Sequence, residues 1–137
     1  MAETLFRAEM ARAGLADAFD VASFGLAAPA GAPASNGAQK AVAELGADLS
    51  AHRSRNANDV APSENDFCIA MTPAHLDRLL KIFPAKSFCI AEFFPKNESA
   101  NDSVPDPFGG TLEDYRAARD AIVSAFPKLI DFLKTRV

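Results

Sequence analysis

The stretch FCIAMTPAHLDRLLKIF, residues 67–83, constrains the fold more than any other part of the chain. Phe67 to Met71 is an unbroken apolar run of strand length. Thr72 and Pro73 follow at once, a hydroxyl suited to the N-cap and a ring suited to the first helical turn. Leu76, Leu79, Leu80 and Phe83 then recur at helical spacing. A strand with no polar side must be covered on both faces, which is the pattern of parallel sheets sheathed by helices. Ser87 to Ala91 (SFCIA) is a second buried-strand candidate, and Phe19 to Ala28 (FDVASFGLAA) a third. Strands alternating with helices imply right-handed crossovers, hence an α/β fold of three α/β/α layers around a small parallel sheet.

The other elements follow from local chemistry. Leu5, Phe6, Met10 and Ala13 predict an amphipathic helix from Ala2 to Ala13, stopped by Gly14. The APAGAPASNG stretch to Gly37 predicts a loop, Gln39 to Leu45 a short helix ended by Gly46, and Leu49 to Arg55 an irregular polar connection. Asn58 to Asn65 contains a turn of helix, and Pro95 to Phe108 has loop composition throughout. Loops that long in small domains are usually functional. Thr111 caps a final helix with Glu113 and Asp114 in its first turn, and Tyr115, Ala118, Ile122, Phe126, Leu129 and Leu133 form its buried stripe. Pro127 should kink or split it.

Composition narrows the class. With 137 residues and 49% hydrophobic content, the chain fits a single domain spanning 1–137. A net charge of −4 without a basic cluster argues against nucleic acid as a partner. No apolar run reaches the roughly 20 residues of a membrane span, and the amphipathic start differs from a secretory leader, so the expectation is a cytoplasmic protein away from membranes. Cys68 and Cys89 lie in apolar runs and are expected as buried structural thiols. His52 and His75 stand apart from any Cys, Asp or Glu at ligand spacing, so neither a metal nor another cofactor is expected.

Five motifs, in order along the chain, carry a family resemblance: MAETLFR at the start, DVASFG at Asp20 to Gly25, GADLSAHRSR at Gly46 to Arg55, ENDFCIAMT at Glu64 to Thr72, and DPFGG at Asp106 to Gly110 before a capped helix. Together they resemble the low-molecular-weight protein tyrosine phosphatases. DPFGG followed by TLEDY looks closest to bacterial members, including those proposed to act on phosphoarginine. The resemblance implies a protein phosphatase acting on phosphotyrosine or phosphoarginine through a cysteinyl-phosphate intermediate, its partner a phosphorylated protein or small phosphomonoester. The 21-residue gap between Cys68 and Cys89 does not resemble the paired cysteines of the arsenate-reductase relatives.

The resemblance also implies roles. Asp106 would be the general acid that protonates the leaving group and then the base that activates water, since one carboxyl can hold a proton in one half-reaction and return it in the other. Phe108 would wall the substrate cleft; Gly109, where the family often has a second aromatic, leaves that wall narrower, or else Gly109 and Gly110 serve the turn. Leu26 and Ala27 would edge the pocket, with a core position for Leu26 equally open. Ser23 and His52 match positions that support an Asn of the family's phosphate-binding loop. They would act behind the reacting groups, and within this sequence that loop is not there to support.

Members of the family begin with a buried central strand running into a Cys-x5-Arg-Ser-Pro loop, and the MAE motif follows its Pro. This sequence opens at the MAE methionine. Neither cysteine replaces the nucleophile, because the position six residues on is Ala74 or Pro95 instead of Arg. The central first strand is therefore also expected to be absent, exposing parallel edges and apolar faces, and the 137 residues alone are expected to be inactive. Two readings follow. In the first, preferred because Asp106, Ser23 and His52 keep types that matter beside a phosphate loop, the native chain is longer. In the second the protein is a non-catalytic pseudophosphatase, an interaction module that completes its sheet as a homodimer or with a partner's strand.

Overall fold

Thr72 caps the helix that follows the first strand as its chemistry requires: its hydroxyl accepts the His75 N–H at 3.1 Å, with Pro73 in the first turn. In the computed structural model, which describes residues 1–83, 86–96 and 103–137, this helix packs on its strand through Leu79. The elements in chain order are α1 (Ala2–Arg12), α2 (Asn36–Ala43), α3 (Ala57–Val60), β1 (Phe67–Ala70), α4 (Pro73–Ile82), β2 (Lys86–Cys89), a 3-10 turn (Ile90–Phe93), α5 (Leu112–Ser124) and α6 (Phe126–Lys134).

β1 and β2 pair in parallel, Phe67 opposite Lys86 and Ala70 opposite Cys89. Side chains alternate across a strand, so Phe67, Ile69 and Phe88 leave one face while Cys68 and Ala70 leave the other. On the first face Phe132 of α6 meets Phe67, Phe88 and Phe93 edge-on, with ring centroids 5.5, 5.2 and 5.6 Å away, the arrangement that ring quadrupoles favour. Behind it lies the main core of Leu5, Met10, Val42, Ala118, Ile122 and Phe126. On the second face Cys68 and Ala70 pack with Leu79 of α4, ringed by Leu76, Phe83, Phe24 and Leu26. Helices thus cover both faces of the pair, and the three-layer α/β expectation holds.

Two close contacts join α2 to α5. A Cβ on Gly37 would stand 2.4 Å from the buried Tyr115 ring, so only glycine lets the helices approach this far. Arg119, 8% exposed, donates to the Ala41 carbonyl at 2.9 Å and to Glu44 at 2.7 Å, while Arg116 grips the same carboxylate at 2.6 Å. Hydrogen bonds from Arg116 and Arg119 hold the Glu44 carboxyl down at about 2.

The final helix breaks where Pro127 demands it, α5 ending at Ser124 and α6 starting at Phe126. Thr111 and Asp114 form the reciprocal cap of α5. Both cysteines are buried, and no disulfide joins them. Four expectations need correction. Phe19 to Ala28 forms no strand: it makes one parallel bridge, Gly25 to Asn56, because among the described residues no neighbour runs beside it to continue a ladder. α2 starts at Asn36, since the Ser35 hydroxyl caps it by accepting the Ala38 N–H. β2 ends at Cys89, whose N–H turns to the Glu92 carboxylate at 2.8 Å and starts the 3-10 turn. Leu80 points outward, 58% exposed, leaving Leu79 as the buried leucine of α4. Of the Pro95 to Phe108 loop, residues 97–102 lie outside the described residues.

Two substitutions probe these contacts by urea denaturation. Gly37→Ala should cost about 1–3 kcal/mol through overpacking against Tyr115. Phe132→Ala should cost about 3 kcal/mol, because it empties the joint between four aromatic rings; a loss below about 0.5 kcal/mol, as at a surface site, would show that the joint carries no weight.

Candidate active site

The DPFGG segment is a set of nested turns placed at the carboxyl end of β1. Val104 donates its N–H to the Met71 carbonyl at 3.0 Å, tying the loop to the residue after the strand. Ligands of open parallel sheets gather at this end. Two residues on, Asp106 Oδ1 accepts the Phe108 N–H at 3.0 Å, an Asx turn that fixes the carboxylate's direction and leaves Oδ2 without a partner among the described residues. Gly109 adopts φ +75°, which a side chain would strain, and a Cβ on Gly110 would lie 2.5 Å from Asp114 Oδ2. Both glycines therefore suit the turn. Asp106 is exposed, and Phe108 projects into solvent at 87% exposure.

Ser23 and His52 meet elsewhere, on a group that sequence reasoning passed over. Glu3 in the first turn of α1 is 6% exposed. Its Oε2 accepts the Ser23 hydroxyl at 2.5 Å, its Oε1 accepts from Arg7 at 2.8 Å, and His52 Nδ1 lies 3.9 Å from Oε2. Ser23 and His52 thus gather on Glu3. Burial alone would raise the Glu3 carboxyl, but the Ser23 hydrogen bond and then Arg7 outweigh it, and its pKa lies below the ordinary value. Burial pushes His52 down, Glu3 opposes, and the N-terminus, Arg55 and Arg7 reinforce the fall. The imidazole is therefore held toward its neutral form. A sequence signal for Glu3 existed: it lies three and seven residues before Phe6 and Met10, on the apolar stripe of α1.

Arg7 extends the group by donating to the Val21 carbonyl at 2.5 Å, and Gly25 donates to the Arg55 carbonyl at 2.9 Å. The Asp20 to Gly25 segment is thereby pinned between α1 and residues 52–56. Leu26 is half-buried against the Cys68, Ala70 and Leu79 cluster, and the next residue, Ala27, is exposed. No hydrogen bond or ion pair joins Asp106 to Ser23, His52 or Glu3 among the described residues. Cys68 is unsuited to nucleophilic work, since burial and then Asp66 push its thiol up. Among the described residues no three His, Cys, Asp or Glu side chains gather as a metal site, and no helix is long and apolar enough to cross a membrane.

Comparison with known proteins bears on this geometry. A protein-arginine-phosphatase of Geobacillus stearothermophilus is 33% identical over 119 residues, covering 85% of this chain and 78% of that protein. The crystal structure of a low molecular weight protein tyrosine phosphatase from T. tengcongensis superposes with a TM-score of 0.77 at 32% identity, over 95% of this chain and 87% of that one. The YwlE arginine phosphatase from Geobacillus stearothermophilus gives 0.72 at 30% identity, over 98% and 86%. The family model described as low molecular weight phosphotyrosine protein phosphatase matches residues 1–137, and the chain belongs to that family.

Proposed function

We propose that this chain is the body of a protein phosphatase that hydrolyses phosphotyrosine or phosphoarginine through a cysteinyl-phosphate intermediate, with Asp106 as the acid and base. The observation that carries the reading is the exposed Asp106 carboxylate, held by its own turn two residues after the backbone bond that ties the loop to the carboxyl end of β1. In the first half-reaction the thiolate attacks phosphorus in line, the bond to the leaving atom breaks, and Asp106 gives its proton to that atom. In the second, Asp106 takes a proton from water as its oxygen attacks phosphorus, the S–P bond breaks, and the thiolate and phosphate are released with Asp106 protonated again. Oδ2 suits the proton transfers because Oδ1 is already engaged. Phe108, Leu26 and Ala27 border the substrate, and one aromatic ring without a second leaves room for a guanidinium phosphate as well as a phenyl one.

Neither cysteine of the 137 residues begins the Cys-x5-Arg spacing of the family's phosphate-binding loop, so this reading places the attacking thiolate on neither Cys68 nor Cys89. The Ser23, Glu3 and His52 group lies in and around the first turn of α1, where that loop would enter the helix. Its role is to hold the loop from behind. Soluble phosphorylated proteins are the proposed partners and the cytoplasm the proposed location.

The test uses protein purified from its natural source. Its intact mass should exceed that of the 137 residues, and it should release phosphate from phosphotyrosine or phosphoarginine peptides. Asp106→Asn should lower kcat by about 10²–10⁴. A mass matching the 137 residues with no turnover would replace this reading with the pseudophosphatase that binds partners.

Glu3→Gln tests the supporting group through stability. The folded carboxyl titrates below its ordinary 4.5, so the unfolded chain takes up the proton first. The contribution is complete above pH 4.5 and is lost as pH falls through the lower folded value. His52 adds a change of the same sign below its ordinary 6.5, since its folded pKa is also lowered. Glu3→Gln should cost about 1–3 kcal/mol at neutral pH and flatten the acid limb of the stability curve. An unchanged acid limb would show that Glu3 is not ionised in the folded protein.

A further inference from the structure

The side of α1 that presents Glu3 faces an open cavity of about 370 Å3 between the helix and residues 48–55. Arg7, Arg53 and Arg55 line it, together with Thr4, His52 and Asp48. Their charges are unevenly spent. Arg7 is committed to Glu3 and the Val21 carbonyl. Asp48 accepts the Ser50 N–H at 2.9 Å and has no cation within 4.0 Å among the described residues. Arg53 holds two carbonyls, of Ser50 and His52, through Nη1 alone. Arg55 makes no side-chain hydrogen bond or ion pair to a described residue, whereas Arg7, Arg12, Arg116 and Arg119 each have a carboxylate within 4.0 Å.

We infer that this cleft is a second binding site of the molecule, one that takes an oxyanion group, phosphate or carboxylate, carried on an acidic peptide. Three physical points converge on that ligand. Two guanidinium groups without a carboxylate partner among the described residues line one cavity, and their planar forks match the two oxygens of a carboxylate or phosphate. The chain as a whole carries −4, so a local cationic surplus opposes the general field and selects where an anion settles. The positions are also fixed: Ser54 donates its N–H to the Ala32 carbonyl at 2.8 Å and accepts the Ala32 N–H at 2.9 Å, and Arg55 is held by its own carbonyl through Gly25. Both arginines therefore stand on pinned backbone, which lowers the ordering cost of binding.

The test is a 15N NMR titration of the 137-residue chain with three probes: inorganic phosphate, an acetylated tri-glutamate peptide and an acetylated tri-lysine peptide. Phosphate or tri-glutamate should shift the Thr4, His52, Arg53 and Arg55 resonances saturably, and the tighter of the two identifies the group preferred. The double variant Arg53→Ala/Arg55→Ala, with its α-helical circular dichroism intact, should bind about tenfold more weakly or worse, the equivalent of one lost charge-assisted hydrogen bond. Three results would each overturn the site: no localised shift at about 10 mM of either anion, an affinity weaker than any specific contact supplies; equal binding by the double variant; or equal response to tri-lysine.

Discussion

A carboxylate taken out of water must be met by donors or give up its charge, and the Glu3 group is organised by that requirement. At 6% exposure Glu3 draws a hydroxyl from Ser23 and a guanidinium from Arg7, with the His52 ring close by. Those partners come from three parts of the chain that no sheet ladder connects. The Asp20 to Gly25 segment, lacking strand neighbours, is held by side chains instead: Ser23 to Glu3, Arg7 to the Val21 carbonyl, and one backbone bond from Gly25 to Arg55. Replacing Glu3 would remove the first attachment and release the guanidinium that makes the second. This explains how a segment without regular structure keeps a defined place beside α1.

The remaining order is hydrophobic and divides at the sheet. Alternation along four-residue strands sends the aromatic rings of Phe67 and Phe88 to one side and the small Cys68 and Ala70 to the other. The aromatic side receives the large core and the small side receives the compact α4 cluster. Side-chain size thus decides which layer is thick. The acid loop is tied to the strand end by one backbone bond and otherwise organised by its own turns. A group that must both give and take a proton benefits from such access to solvent and substrate.

Elements whose cause is local were legible in the sequence. Thr72 with Pro73, Thr111 with Asp114, and Pro127 each act within a few residues, and each produces the cap or break expected of it. The Phe19 to Ala28 segment misled because its apolar content describes a surface while a strand is defined by its neighbours. Glu3 escaped notice because a carboxylate on an amphipathic helix reads as solvent-facing, though its place on the stripe with Phe6 and Met10 marked it. The five ordered motifs carried the family, and composition alone would have given only an α/β domain. That Ser23 and His52 converge on one oxygen depends on packing between distant segments, which no local rule supplies.

The break between α5 and α6 sets the proportions of the molecule. An unbroken helix over residues 112–134 would run about 34 Å, while each four-residue strand spans about 13 Å. A rod that long would overhang its sheet by more than half its length and leave an apolar stripe in water. Divided at Ala125, the same residues become two shorter pieces, one against α2 and the other against Phe67, Phe88 and Phe93. One proline near the break thereby matches the length of the covering layer to the width of what it covers.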